Sequence, residues 1–155
     1  MTTLKSYLDT ILILREHAID FVVTGTFALY LQKKNFGEQY EIKDCDIFIT
    51  YTQENLLAFL TCMQANGWKV KIWEEEIDFP RLMEQAEGKY YIRCTKNDLI
   101  FDATYEHEAA IYGDPAVDTI YVNNIPVIDS KKILSGKKYR GYERDLAAVE
   151  VFESL

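Results

Sequence analysis

Apolar positions recur at helical spacing at the start of the chain. Leu4, Leu8, Ile11 and Leu12, with Arg15 on the same line, predict a helix over residues 3–17 with one apolar face. "FVVT", residues 21–24, is a short β-branched run and predicts a buried strand, punctuated by Gly25. "TFALYLQKK" then predicts a helix beginning at Thr26. A second strand is expected at "DIFIT", residues 46–50. Thr52 is placed to cap a helix running to about Ala65 and closed by Asn66-Gly67. "WKVKIW", residues 68–73, alternates and predicts a half-exposed strand.

Residues 74–88 are acidic and irregular, so a loop is expected there, with a short helix after Pro80. "KYYIRCT" and "DLIFDATY" flank Lys96-Asn97 and predict a hairpin; "VDTIYV" and "IPVID" flank Asn123-Asn124 and predict another. Two helices are expected to finish the chain, one from Ser130 and one over about 141–153. Helices alternate with strands early and hairpins follow, which predicts an α/β (α+β) chain, a mixed twisted sheet with helices packed on it.

The 155 residues suit a single domain, 1–155, with enough apolar residues for a core. A net charge of −8 argues against broad nucleic-acid or anionic-membrane binding, which needs a basic surface. Cys45, Cys62 and Cys94 match no zinc or redox spacing and are expected as reduced, buried thiols. No run approaches the roughly 20 apolar residues of a membrane span, and the amphipathic start does not look like a signal peptide. A soluble, cytoplasmic protein is expected.

The informative stretch is "EIKDCDIFIT", residues 41–50. Asp44 and Asp46 stand two apart at the front of an apolar run, so on a strand both point the same way, with Cys45, Ile47 and Ile49 facing the core. Two carboxylates on one face repel, and a divalent cation removes the repulsion; Mg²⁺ prefers carboxylates, waters and substrate phosphates. Asp102 lies inside the apolar run "LIFDATY", where folding needs nothing polar. If its strand neighbours the first, three acids converge, enough for two cations that clamp the attacking and leaving oxygens of a phosphoryl transfer. In "VVTGTFALYL" a strand runs into Gly25, where backbone can approach a ligand closely. The helix start behind it, with the Thr26 hydroxyl, offers an anion site, although no P-loop Lys follows. Residues 131–144 carry Lys131, Lys132, Lys137, Lys138, Arg140 and Arg144 against Glu143. Their cations are suited to a polyphosphate; the run also fits a solvated helix face, and Arg144 with Asp145 a structural pair.

This order of strand, Gly-Thr, helix, Asp-x-Asp and a later lone Asp resembles the nucleotidyltransferase superfamily typified by DNA polymerase β. In size and layout it is similar to the small bacterial members, which include lincosamide and aminoglycoside antibiotic-modifying enzymes and toxin-type members of toxin–antitoxin systems. "TGTFAL", "KDCDIFI", "LIFDAT" and "YERDLAAVE" carry the resemblance, over roughly residues 20–150. It implies the nucleotidyltransferase fold and Mg²⁺-dependent transfer of a nucleoside monophosphate from a nucleoside triphosphate to a hydroxyl of a small molecule or protein, releasing pyrophosphate. Asp44 and Asp46 would hold two Mg²⁺ ions. Asp102 would complete the metal site and help activate the acceptor hydroxyl. Gly25 and Thr26, with Lys137, Arg140 and Arg144, would hold phosphates. The family usually has Gly or Ser where Thr26 stands, and often Lys where Arg144 precedes Asp145. The helical second domain that builds the acceptor pocket in many larger members is missing from these residues, so a homodimer partner is the expected source. The contrasting expectation is a non-catalytic, partner-binding module of a toxin–antitoxin system. An RNA-modifying enzyme would need residues 131–144 to form the RNA patch alone.

Overall fold

The computed structural model describes residues 2–155. Its first half runs α1 (Thr2–Glu16), β1 (Phe21–Thr24), α2 (Gly25–Gln32), α3 (Phe36–Gln39), β2 (Cys45–Ile49), α4 (Gln53–Ala65), β3 (Lys69–Ile72) and β4 (Glu75–Glu76). A 3₁₀ turn (Phe79–Arg81) leads into α5 (Leu82–Ala86), β5 (Tyr91–Lys96), β6 (Leu99–Thr104) and α6 (Ala109–Tyr112). The chain ends with β7 (Thr119–Val122), β8 (Ile125–Ile128), α7 (Ser130–Arg140) and α8 (Glu143–Glu153). It divides into two compact units: residues up to Phe21 with Ile47–Glu106, and Val22–Asp46 with His107–Leu155. The division falls inside β1 and inside β2, so each unit holds part of both strands.

In the first unit the strands follow the order β4-β3-β5-β6-β2, and β3, β4, β5 and β6 pair antiparallel. Val70 and Ile72 of β3 are buried while Lys69 and Lys71 are exposed, the predicted alternation. Phe59 of α4 and Trp68 pack on Phe101 of β6 at ring distances of 6.5 and 5.9 Å. The buried stripe of α1 is Leu4, Tyr7, Ile11 and Leu14, turned from the line through Leu8 and Leu12. Tyr7 is the reason: its ring is buried and its hydroxyl accepts from the Ile100 amide at 3.1 Å. Thr52 caps α4 as expected, accepting from the Asn55 amide. Asn55 in turn ties the entry to β1 to the exit from β2, bonding the Asp20 and Thr50 carbonyls at 2.9 and 3.0 Å.

The second unit holds β2-β1-β8-β7, with β1 parallel to β8 and β7 antiparallel to it. Asn123 and Asn124 take φ of 50° and 65°, the left-handed pair that a two-residue hairpin turn demands. The other hairpin turn sits one residue later than expected. Lys96 pairs with Leu99, so Asn97 and Asp98 form the turn. Gln32 joins α2 to the β8–α7 junction, donating to the Ile128 carbonyl and accepting from the Ser130 amide. The short elements α3, α6 and β4 have no periodicity long enough to predict them. α6 depends on α7: a Cβ on Gly136 would meet the Ile111 carbonyl oxygen, so the backbones pack in direct contact, and Lys132 donates to the Ala110 carbonyl at 2.6 Å. Among the described residues no helix is long and apolar enough to cross a membrane.

Candidate active site

The residue after β1 is built around one close approach. Gly25 opens α2 with φ +68°, and a Cβ there would lie 2.7 Å from Oδ2 of Asp46. Glycine is therefore required twice, for the backbone angle and for the space. The Asp46 carboxylate lies against the helix start, where the macrodipole favours negative charge. Thr24, at the N-cap, makes no side-chain cap, so the first turn of α2, with Thr26, is not closed by its own capping residue. Cys45 and Ile47, flanking Asp46, are fully buried, as the strand alternation predicts.

Asp102 on β6 is only 8% exposed and is held by Arg93 of β5, directly opposite in the register. Arg93 donates through Nε to Oδ1 and through Nη2 to Oδ2, both at 2.9 Å. This fork-to-carboxylate geometry fixes the plane of Asp102. The guanidinium also lies 5.7 Å from the centre of the Tyr91 ring. Reading the sequence for acids alone misses Arg93.

One carboxylate oxygen each from Asp44, Asp46 and Asp102 forms a group within 4.8 Å. β2 is the carrier. It neighbours β6 in the strand order, and Asp46 lies on it. A divalent cation with bonds of about 2.1 Å accepts ligand oxygens up to roughly 4.2 Å apart. Three carboxylates this close are a donor set of the kind that holds a divalent cation such as Mg²⁺.

The basic segment is more committed than its composition implies. Asp145 of α8 is buried and receives Lys137 Nζ at 3.2 Å and Arg140 Nε at 3.3 Å. Burial pushes the Asp145 carboxyl up, but the Arg140 hydrogen bonds and the Lys137 charge outweigh it and hold the group below its ordinary value. Asp145 thus pairs with two cations of α7 rather than with its neighbour Arg144. Lys138 pairs with Glu153, and Arg140 stacks 4.8 Å over the Tyr112 ring. Arg144 is exposed and has no ion-pair partner among the described residues. Its carbonyl accepts from the Tyr40 hydroxyl at 3.5 Å. Burial first, then the Asp145 and Asp44 carboxylates, raise that hydroxyl's pKa, partly offset by Arg144. Tyr40 therefore lies within electrostatic reach of both Asp44 and Arg144.

No family model matches the chain, and no curated protein matches it significantly. Among solved structures, the chain is similar to the solution structure of the antibiotic-resistance factor ANT(2'')-Ia, described as having substrate-regulated conformation dynamics. The TM-score is 0.61 over 99% of this chain and 84% of that one, at 15% identity. At that identity the likeness is one of fold: the chain has the mixed α/β fold of that resistance factor.

Proposed function

We propose that the protein is a metal-dependent nucleotidyltransferase, moving a nucleoside monophosphate from a nucleoside triphosphate to a hydroxyl and releasing pyrophosphate. The observation that carries this reading is the group of three carboxylates within 4.8 Å, one of them pressed against Gly25 at a helix start. Gathering three acids sets like charges close together, which is unfavourable unless opposite charge offsets it. The cost is understandable if the acids serve a cation. The fold of an antibiotic-resistance factor agrees in kind with the resemblance seen in "TGTFAL" and "KDCDIFI".

In this reading Asp44 and Asp46 hold Mg²⁺. Gly25 and Thr26 at the start of α2 receive phosphate oxygens of the triphosphate. Asp102, with its plane fixed by Arg93, faces the acceptor hydroxyl and accepts its hydrogen bond. Bound divalent cations would neutralise the charge that builds on the transferring phosphoryl group and its leaving pyrophosphate. Of the basic segment, Arg144 is the side chain open to phosphate; Lys137 and Arg140 support it by fixing α7 to α8.

The test is a thermal-shift panel with Mg²⁺ and each of ATP, GTP, CTP and UTP, on wild type and the Asp44→Asn/Asp46→Asn double variant. Ligand at about 100 times its dissociation constant stabilises by roughly 2.7 kcal/mol. A metal-dependent shift with at least one triphosphate is expected in wild type and not in the variant. A variant that responds like wild type would sink the site assignment.

A further inference from the structure

Each unit carries one outer strand. In the first unit it is β4, two residues long and both exposed glutamates, a short, charged edge of the kind that discourages pairing with another chain. In the second unit it is β7, which reads Thr119-Ile120-Tyr121-Val122 and has neither a charge nor a proline to protect it. Apolar side chains there face water: Val117, just before the strand, is 76% exposed, Tyr121 72% and Ile120 37%.

The hairpin to β8 determines which backbone groups of β7 point outward. Val122 pairs with Ile125 across the two-residue turn, and the Asp129 amide donates to the Asp118 carbonyl at 2.8 Å. Bonded and non-bonded pairs alternate in an antiparallel ladder, so residues 118, 120 and 122 turn their backbone groups toward β8. The amides and carbonyls of Thr119 and Tyr121 therefore point away from it. Pro126, which has no N–H to give, stands opposite Tyr121 at one of the non-bonded pairs.

We propose that β7 pairs antiparallel with β7 of a second copy of this chain, across a twofold axis through Ile120. In that register Thr119 of each copy faces Tyr121 of the other, and every outward N–H meets an outward carbonyl. An axis through Thr119 would set Tyr121 against Val117, whose amide already donates to the Asp114 carbonyl. An axis through Tyr121 would set Thr119 against Asn123, which leaves the strand at φ 50°. The side chains favour the same register. Ile120 meets its own copy in the close, non-bonded pair at the axis, and Tyr121 meets Thr119, an aromatic against a β-branched residue. Asp118 meets Val122, so this carboxylate does not face its own copy. Self-pairing is favoured by charge as well. A net charge of −8 opposes self-association over most of the surface, whereas this uncharged stretch is complementary to itself. Ile120 and Val117 also line an open groove of about 310 Å³ beside Lys131 and Lys132 of α7, so the apolar surface to be covered extends beyond the strand. The contact is small for a specific interface, which puts its dissociation constant at roughly 10–100 µM.

The test is sedimentation velocity of the full chain from about 5 to about 500 µM, which brackets that range. A monomer–dimer equilibrium is expected. Ile120→Glu sets two carboxylates face to face at the axis and should weaken the dimer at least about tenfold, while far-UV circular dichroism shows the same fold. Single cysteines read the register. Ile120→Cys brings two Cα atoms to about 4.5 Å across the axis, within disulfide reach, whereas Tyr121→Cys leaves them roughly 9 Å apart, beyond it. The native Cys45, Cys62 and Cys94 are buried. Under mild oxidation at one concentration, Ile120→Cys should become a disulfide-linked dimer and Tyr121→Cys should stay monomeric. A chain that is monomeric at the highest concentration, a dimer that Ile120→Glu leaves intact, or cross-linking of Tyr121→Cys as fast as that of Ile120→Cys would each overturn the proposal. None of these readouts involves nucleotide, so the result is independent of the reaction proposed above.

Discussion

Replacing Gly25 by alanine perturbs the candidate site by one methyl group. The new Cβ would lie 2.7 Å from Asp46 Oδ2, and 3.4 and 3.5 Å from its Cβ and Cγ. Comfortable contacts between such atoms begin near 3.2–3.5 Å, so the carboxylate must withdraw by roughly 0.5 Å or more. The backbone adds its own cost, since alanine at φ +68° is disfavoured by about 1–2 kcal/mol. For a chain of this size each kcal/mol lowers Tm by about 2–4 °C, so the backbone cost alone lowers the melt by roughly 2–8 °C and the displaced carboxylate lowers it further. Gly88 supplies the control: it has φ +73° but nothing within 4 Å of an added Cβ. Gly88→Ala should pay the backbone cost alone. The assay is thermal unfolding of both variants with and without Mg²⁺ and the responding triphosphate. Wild type and Gly88→Ala should gain roughly 5–11 °C from saturating ligand, the equivalent of about 2.7 kcal/mol. Gly25→Ala should gain less than half of that. If the two alanine variants gain equally, the contact between Gly25 and Asp46 has no bearing on ligand binding and the reasoning fails.

Arg93→Gln removes the fork that aligns Asp102; transfer should slow with the triphosphate KM unchanged, and a change confined to that KM would contradict a positioning role. Asp145→Ala leaves Lys137 buried without its partner, and loss of one member of a buried pair costs about 3–5 kcal/mol, or roughly 10 °C in Tm; a loss under about 1 kcal/mol in urea unfolding would show that the pair is solvated. The same carboxyl sets a pH dependence. Its folded pKa is depressed, so its stabilisation is fully present above the unfolded value near 3.9 and is lost as pH falls through the lower folded value. The stability gap between wild type and Asp145→Asn should therefore hold steady above about pH 5 and shrink below about pH 4, and a gap independent of pH would exclude the ion pair as its source. Cys94 is fully buried, and burial, then the Asp102 charge, raise its thiol pKa far above the ordinary range; iodoacetamide at pH 8 should label it only after unfolding, which mass spectrometry of the native and denatured protein decides.

The elements with a long or repeated pattern were legible in the residues. The 3–17 helix, the "FVVT" strand, the Thr52-capped helix and the alternating "WKVKIW" all stand where their periodicity puts them. What the pattern could not carry was anything decided by a distant partner. Helix α1 turns its Tyr7 face inward because the Ile100 amide needs an acceptor, 93 residues away in sequence. α6 is four residues long and owes its place to Gly136 and Lys132 of α7. Lys137 and Arg140 look like free phosphate ligands in a run of cations, yet Asp145 one helix later engages both.

Arg93 is the instructive miss, because its signal was present. In a two-residue hairpin the paired positions have a constant sum. With the turn at Lys96-Asn97 the sum would put Tyr91 opposite Asp102, a neutral neighbour with nothing to say about the acid. The observed turn at Asn97 and Asp98 raises the sum by two and puts Arg93 there. Asn97 takes φ +54°, a left-handed angle that asparagine tolerates and lysine does not favour. That preference favours Asn97-Asp98 over Lys96-Asn97 before any coordinates are known. The corrected sum brings Arg93 to Asp102, and the matching register of β3 brings Lys71 to Arg93. One turn residue thus determines which charged side chain stands opposite Asp102, and which stands opposite that one in turn.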